Sequence, residues 1–300
     1  MYTSINDICE HYGAQFLVNT AVAPYTTFKI GGRCNIVKVN GVDVLREVLR
    51  HCRETSVPFH ILGKGSNVLI SDKGLDGVVL LIGGGFGKID VDGETITAQA
   101  GAKLSDVCKT AAMRSLTGIE FAYGIPGTAG GALYMNAGAY GGEMADIAAS
   151  CSYLDSELTR ETKRIDVCDM KLSYRHSIFS ENGWIITKVK LKLKHGEKAA
   201  IKTRMDEISA ARREKQPLEF PSAGSTFKRP AGHFAGKLIQ DCGLKGKTIG
   251  GAMVSEKHAG FVINKGSATF DDVVNLIELI KQEVLKQTGV TLECEVKIWR

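Results

Sequence analysis

The chain has no stretch of eighteen apolar residues, no CxxC pair, no cluster of Cys and His at zinc-ligand spacing, and no run of like charge long enough for a disordered basic arm. Its N-terminus, MYTSINDICEHYG, lacks the basic and apolar regions of a secretion signal. The eight cysteines stand singly at 9, 34, 52, 108, 151, 168, 242 and 294, so no metal site is expected. Cys52, Cys108 and Cys294 lie in apolar runs and are expected to be buried free thiols. These absences predict a soluble, reduced, cytoplasmic protein without a membrane partner. A net charge of +5 over 300 residues is mild. It favours anionic ligands slightly and demands no nucleic acid. In VKLKLKH the lysines alternate with Val189, Leu191 and Leu193, which predicts a strand with one solvated face.

Glycine is what the chain has in excess, 34 of 300 residues against a usual ~7%. The excess is concentrated in FAYGIPGTAGGALYMNAGAYGG, residues 121–142, where seven of twenty-two positions are glycine and none is charged. Glu120 and Glu143 fence it. Small residues let a main chain lie flat against a rigid ligand, Pro126 fixes a bend, and Asn136 offers an amide. Such a surface suits a neutral ring and a pyrophosphate held by main-chain N–H groups. Tight helix–strand packing of small residues is the alternative. A second loop, Gly63-Lys64-Gly65-Ser66-Asn67, separates two apolar strands. It matches neither a Walker A loop nor a dinucleotide GxGxxG, and reads as an anion-binding nest or a plain turn.

Periodicity and residue type predict helices over 4–12, 42–53, 104–114, 196–216, 234–244 and 269–288. The last is the clearest, with Thr269 and Asp272 as a capping pair, a stripe of Val273, Ile277, Ile280 and Val284, and Gly289 as its stop. CNIVKV, FHIL, NVLI, GVVLLIG, the two halves of KIDVDGETITAQ around Asp92-Gly93, residues 189–193 and TLECEVKIW read as strands. Composition shifts near 196–200, where a domain boundary is expected. A third set of segments, LSYRHSIF (172–179), FPSAGSTFKRP (220–230) and Glu293/Glu295, carries reactive side chains. GxSxG is absent and no His–Asp partner pattern is visible, so spacing alone assigns no reaction.

The ordered set GKGSN, GIPGTAGGALYMNAGAYGGE, SYRHSIF, PSAGSTFKRP, AGKLIQDCGLKGKTIGGAMVSEKHAGFVIN and LECEV closely resembles the family of UDP-N-acetylenolpyruvoylglucosamine reductases, also called UDP-N-acetylmuramate dehydrogenases, from about Thr20 to Ile298. The resemblance implies an α+β fold. Its FAD-binding domain would be of the vanillyl-alcohol-oxidase (PCMH) type, residues 1–196 in subdomains of about 1–84 and 85–196, followed by a substrate domain over 197–300. It also implies a reaction of peptidoglycan precursor synthesis. NADPH reduces non-covalently bound FAD, which passes hydride to the vinyl carbon of UDP-N-acetylglucosamine enolpyruvate.

By motif position Ser225 resembles the proton donor, and Arg175 and Glu295 the pair that polarises the enolpyruvate carboxylate. Glu293 shares a strand face with Glu295, and only the resemblance favours the latter. The segments that hold FAD are matched by Tyr25, Gly63, Lys64, Gly65, Ser66, Asn67, Gly124, Pro126, Gly127, Gly130, Gly131, Asn136, Gly138 and Ala139. Lys215 resembles a lysine that meets the diphosphate, and Arg229 and His258 are further substrate-side candidates. The short link after Lys194 resembles the family type that lacks a long tyrosine-bearing loop over substrate. A monomer is expected. A flavin oxidase of the same fold superfamily is the alternative reaction, and a non-catalytic nucleotide-sugar or nucleic-acid binding module the alternative class.

Overall fold

Residues 4–158 and 161–300 are described by a computed structural model of mixed α+β architecture. Contacts divide the chain into two units: Met1–Val18, Asn35–Lys64 and Asp76–Ala210 in the first, and Asn19–Cys34, Gly65–Leu75 and Ala211–Arg300 in the second. Each has its own buried apolar cluster. A cut near 196 follows a change in polarity, whereas these units follow packing, which collects segments far apart in sequence.

The first unit carries helices α1 (Ile5–His11), α2 (Val42–Glu54), α3 (Leu104–Met113), α4 (Ala129–Tyr134), α5 (Ile178–Asn182) and most of α6 (Lys198–Lys215). The run VVLLI, Val78–Ile82, lies between Arg33–Val39 and Phe59–Leu62, parallel to both. A strand covered on both faces has no polar side to show, hence its unbroken apolar sequence. On α2 the stripe Val44, Leu45, Val48, Leu49 and Cys52 is buried, as its 3.6-residue spacing requires. A second sheet, antiparallel, is ordered Lys163–Asp166, Ala148–Leu154, Ile185–Lys192, Thr95–Gln99, Ile89–Asp92. In it Val189 and Leu191 are fully buried while Lys188, Lys190 and Lys192 are exposed, the alternation expected of a half-solvated strand. The hairpin pairs Asp92 with Thr95, so its loop is Gly93-Glu94, one residue later than the Asp-Gly signal.

The glycine-rich stretch departs from an open wall: six of its residues form α4. AGGALY is a poor helix former, each glycine costing ~1 kcal/mol relative to alanine. Burial of Ala129, Gly130, Ala132 and Leu133, with Thr128 Oγ accepting the Gly131 N–H at 3.3 Å, overrides that propensity.

In the second unit Thr248–Ile249, Ala252–Val254 and Val262–Asn264 form a three-stranded antiparallel sheet, joined by α7 (Ala235–Asp241) and α8 (Phe270–Thr288). Thr269 and Asp272 close the capping box, and Val273, Leu276, Ile277, Ile280 and Val284 are fully buried. At ~1.5–3 kcal/mol per buried aliphatic side chain, that stripe outweighs a cap worth ~1 kcal/mol. α7 stops three residues short of the expected 244. TLECEVKIW is strand only over Lys297–Trp299, which pairs in parallel with Val68–Ile70. The preceding residues bond to a loop instead: Lys228 N–H to Glu293 O at 2.9 Å, and Glu295 N–H to Thr226 O at 2.8 Å. The eight cysteines are free. Burial pushes the Cys52 thiol up to about 11 and Cys108 to about 12, while Cys294, expected buried, is only half-buried. Among the described residues no helix is long and apolar enough to cross a membrane.

Candidate active site

The strands flanking GKGSN do not pair with each other. Phe59–Leu62 joins the parallel sheet of the first unit, and Val68–Ile70 pairs with Lys297–Trp299 in the second. A Cβ on Gly63 would stand 2.9 Å from Thr128 Oγ, which brings the loop's start beside the N-terminus of α4. Gly65, at φ +64°, would put a Cβ 2.4 Å from Tyr25 O and 2.8 Å from Thr26 Cα. Its carbonyl accepts the Thr27 N–H at 3.0 Å. Only glycine fits both that conformation and that approach. Lys64 is exposed, and Ser66 and Tyr25 are half-buried. Asn67 donates through Nδ2 to Glu295 O at 3.2 Å and accepts the Lys297 N–H at 3.0 Å.

Within residues 121–142 the glycines divide by what surrounds them. Gly130 and Gly138 pack: a Cβ would come 2.8 Å from Ala100 Cβ on the first and 2.9 Å from Glu143 Cβ on the second. Ala139 pairs with Gly142 in a two-residue ribbon. Gly124, Pro126 and Gly131 are exposed, and a Cβ on Gly127 would meet nothing within 4 Å. Asn136 is fully buried, donating to Ser173 O at 3.0 Å and accepting the Ala145 N–H at 2.9 Å.

Arg175 stands at the tip of a tight turn. Ser173 and His176 exchange both main-chain bonds, at 3.2 and 3.1 Å, leaving Tyr174 and Arg175 at its centre. Arg175 has φ +56°, a left-handed conformation that costs an L side chain ~1–2 kcal/mol. Such a residue persists where its surroundings over-determine it, and such sites cluster where chemistry is done. Here the surroundings are polar: Ser177 Oγ donates to Tyr134 O at 2.6 Å, and the His176 ring meets Glu181 at 3.1 Å. Glu181 also accepts from Lys171 at 3.0 Å, and this bond first, then Lys171's charge and His176, holds its carboxyl below the usual carboxylate range.

Ser225 is exposed, immediately after Gly224 at φ +75°. Main-chain bonds hold both sides of it. Asn264 N–H reaches Pro221 O at 2.9 Å, and Thr226 N–H reaches Gly260 O at 2.8 Å. The buried Thr226 hydroxyl accepts from Val262 N–H at 3.0 Å. Because Thr226 O also accepts the Glu295 N–H, the main chains of Ser225 and Glu295 are neighbours. Glu293, which shares a strand face with Glu295 in the sequence pattern, is exposed and pairs with Lys228 at 2.5 Å. Glu295 is half-buried.

The His258 ring is wedged against Gly236 and Gly260, accepts the Gly260 N–H at 3.1 Å, and packs edge-on against Phe261. Burial pushes it below its ordinary value, and the charge on Lys245 lowers it further. Lys215 ends α6, exposed and without a hydrogen-bond or ion-pair partner among the described residues. The Arg229 guanidinium lies 4.0 Å above the exposed ring of Phe234. The sequence reading missed Thr128, Ser177 and Thr226. Each precedes or interrupts a segment whose glycine or serine content masks any helical or strand period.

The first unit carries an uncharged main-chain surface, the second carries the loop of Ser225 and, on the neighbouring segment 291–296, Glu295, and a match to an FAD-binding domain makes the chain a flavoprotein. Residues 35–157 match the model described as FAD binding domain, and residues 216–299 match UDP-N-acetylenolpyruvoylglucosamine reductase, C-terminal domain. The chain belongs to the UDP-N-acetylenolpyruvoylglucosamine reductase family. It is 48% identical to the enzyme of that name from Caldanaerobacter subterraneus subsp. tengcongensis, over 94% of this chain and 92% of that one. It is 46% identical to the Listeria monocytogenes enzyme, over 94% of each. The crystal structure of the Thermus caldophilus reductase superposes with a TM-score of 0.80 at 34% identity, covering 96% of this chain and 99% of that one. The residues present fit FAD: Gly124 and Pro126 are exposed and uncharged, and the half-buried Gly127 is open on the side on which it lacks a Cβ.

Proposed function

We infer that this chain is the FAD-dependent reductase that converts UDP-N-acetylglucosamine enolpyruvate to UDP-N-acetylmuramate in peptidoglycan precursor synthesis, working in the cytoplasm as a monomer with NADPH as reductant. FAD, once bound and reduced by NADPH, would supply hydride chemistry at the terminal vinyl carbon, and the residues of the chain would then have to meet negative charge on the neighbouring carbon and its carboxylate. Arg175 and Glu295 polarise that carboxylate, the arginine because a permanently charged planar fork suits a carboxylate. Ser225 gives its proton to the neighbouring carbon. A hydroxyl is a weak acid in water, and it suffices here because the carbanion-like acceptor is far more basic than a carboxylate. Its exposure on a loop pinned at Thr226, beside the main chain of Glu295, is the observation that carries the reading.

Lys215, Arg229 and His258 serve the nucleotide-sugar side. The flavin is held without a covalent bond by Tyr25, the 63–67 loop and the exposed part of 124–131, with Gly130, Gly138 and Ala139 shaping that wall from behind. The functional division, 1–196 for FAD and 197–300 for substrate, crosses the compact units rather than following them.

The test is a pair of anaerobic half-reactions on purified protein. NADPH is expected to bleach a yellow flavin spectrum and the enolpyruvyl substrate to restore it, with only slow return in air. Colourless protein that takes up no FAD sinks the reading, and fast return in air with none from the substrate favours an oxidase.

A further inference from the structure

The amide of Asn136 joins the glycine-rich stretch to the turn that carries Arg175. Its orientation is fixed by its partners, since the Ser173 carbonyl can only accept and the Ala145 N–H can only donate. The side chain has no exposed surface, so both ends are committed inside the first unit. Asn136 itself has φ +42°, a conformation asparagine tolerates better than most residues. Ser173 O thus accepts twice, from His176 N–H across the turn and from Asn136 behind it. Two residues earlier, Tyr134 O receives the Ser177 hydroxyl at 2.6 Å, and Ser177 is also fully buried. The three-residue segment 134–136 therefore grips the Arg175 turn on both flanks, at residues 173 and 177.

The Arg175 guanidinium lies 5.0 Å from the ring of Tyr174, its neighbour on the same turn, so the course of both side chains follows what holds the turn. We propose that Asn136, assisted by Ser177, is a positioning residue that aims Arg175 at the substrate carboxylate. This rests on the assignment of Arg175 to that carboxylate. The chemistry required is a donor and an acceptor on one short rigid group. Aspartate keeps the shape and the acceptor but turns a carboxylate oxygen toward the Ser173 carbonyl. Misplacing a reacting partner by about an ångström can cost ~100-fold.

The experiment compares two ligands on the full-length protein loaded with FAD, measured by calorimetry: the enolpyruvyl substrate, and UDP-N-acetylglucosamine, which lacks the carboxylate. Asn136→Asp is expected to weaken the first about tenfold or more and the second less than about twofold, and to slow flavin reoxidation by the substrate at least tenfold more than flavin reduction by NADPH. In an Arg175→Ala background the same change is expected to add less than about threefold, because two residues that act as a unit are not additive. Ser177→Ala gives the same pattern in weaker form, and carries the test should Asn136→Asp not accumulate as folded, flavin-loaded protein. Equal weakening of both ligands, or losses that multiply with Arg175→Ala, overturns the proposal. If Arg175→Ala itself leaves the preference for the carboxylate ligand intact, the assignment of Arg175 falls and the proposal falls with it. If Arg175→Ala abolishes the preference and neither Asn136→Asp nor Ser177→Ala does, the positioning role alone is wrong.

Discussion

Arg175 and Ser225 are presented in opposite ways. The arginine sits at a left-handed position in a turn whose flanks are gripped by the side chains of Asn136 and Ser177. The serine leads into a residue bound through main-chain atoms to Gly260 and to Glu295, with one side-chain bond from Thr226 behind it. Side-chain grips can be removed by substitution one at a time. Main-chain grips cannot, so Ser225 keeps its place through most changes around it, while the Arg175 turn keeps its two closing main-chain bonds but can lose the side chains that hold its flanks.

The sharpest way to break that comparison is at the serine itself. Ser225→Ala removes a hydroxyl whose holder is main chain, so it is expected to remove chemistry and little else. Flavin reduction by NADPH persists, and reoxidation by the enolpyruvyl substrate falls ~10²–10⁴-fold, the usual worth of a positioned proton donor. Rapid-mixing absorbance at the flavin band reads both steps, and normal reoxidation would remove Ser225 from the role. The two glutamates sharpen it next. Glu295→Gln is expected to slow reoxidation about tenfold or more, whereas Glu293→Gln loses only an exposed ion pair with Lys228 and changes rate and stability little. Equal effects would mean that the bond from Glu295 N–H to Thr226 O does not distinguish the two carboxylates.

The glycines offer the third contrast. Gly65→Ala forces a side chain against Tyr25 O from a left-handed backbone, and is expected to cost about 2–5 kcal/mol of stability. Gly127→Ala meets nothing of its own chain, so stability should hold within ~0.5 kcal/mol. FAD affinity should nevertheless fall about tenfold, read by fluorescence titration of the stripped protein. Unchanged affinity in Gly127→Ala would take the flavin away from that open surface.

Much of the fold was legible because its signals were local and redundant. α8 announces itself by cap, stripe and stop together, and Val78–Ile82 by an apolar run too short for a helix. α4 was legible only as the alternative of helix–strand packing, because a helix of glycine and alanine has neither propensity nor stripe and exists by burial. Nor was the irregular course of residues 291–296, whose alternation promises a strand but whose hydrogen bonds go to the loop after Ser225. At the site, the resemblance picked out Ser225, Arg175 and Glu295, and spacing alone picked out none of them. Turn rules place glycine or asparagine where Arg175 stands, so its position contradicts local preference and only the tertiary bonds from 134–136 explain it. The flat neutral surface was readable as small residues, but which glycines pack and which stay open is a matter of neighbours such as Ala100 and Glu143, distant or unremarkable in sequence.

The smallest expected effect concerns acid. His258 is held below its ordinary value first by burial, and its ring supports Gly260, whose carbonyl receives the Thr226 N–H. With the folded value below the unfolded ~6.5, the unfolded chain takes up a proton that the folded ring resists. The stability this contributes is present above about pH 6.5 and is lost as the pH falls toward the folded value. His60, also lowered mainly by burial, behaves alike in the first unit, so global unfolding would mix the two. Hydrogen exchange at Val262–Asn264 separates them. Protection there is expected to weaken between about pH 7 and 5, and less so in His258→Gln, which cannot take up the proton. Asp272 does not confuse that window: its donors from Thr269 and Gly251 hold it below the usual carboxylate range, so its share is lost only in stronger acid. Identical pH dependence in wild type and His258→Gln would mean that the loop bearing Ser225 draws no support from the neutral ring.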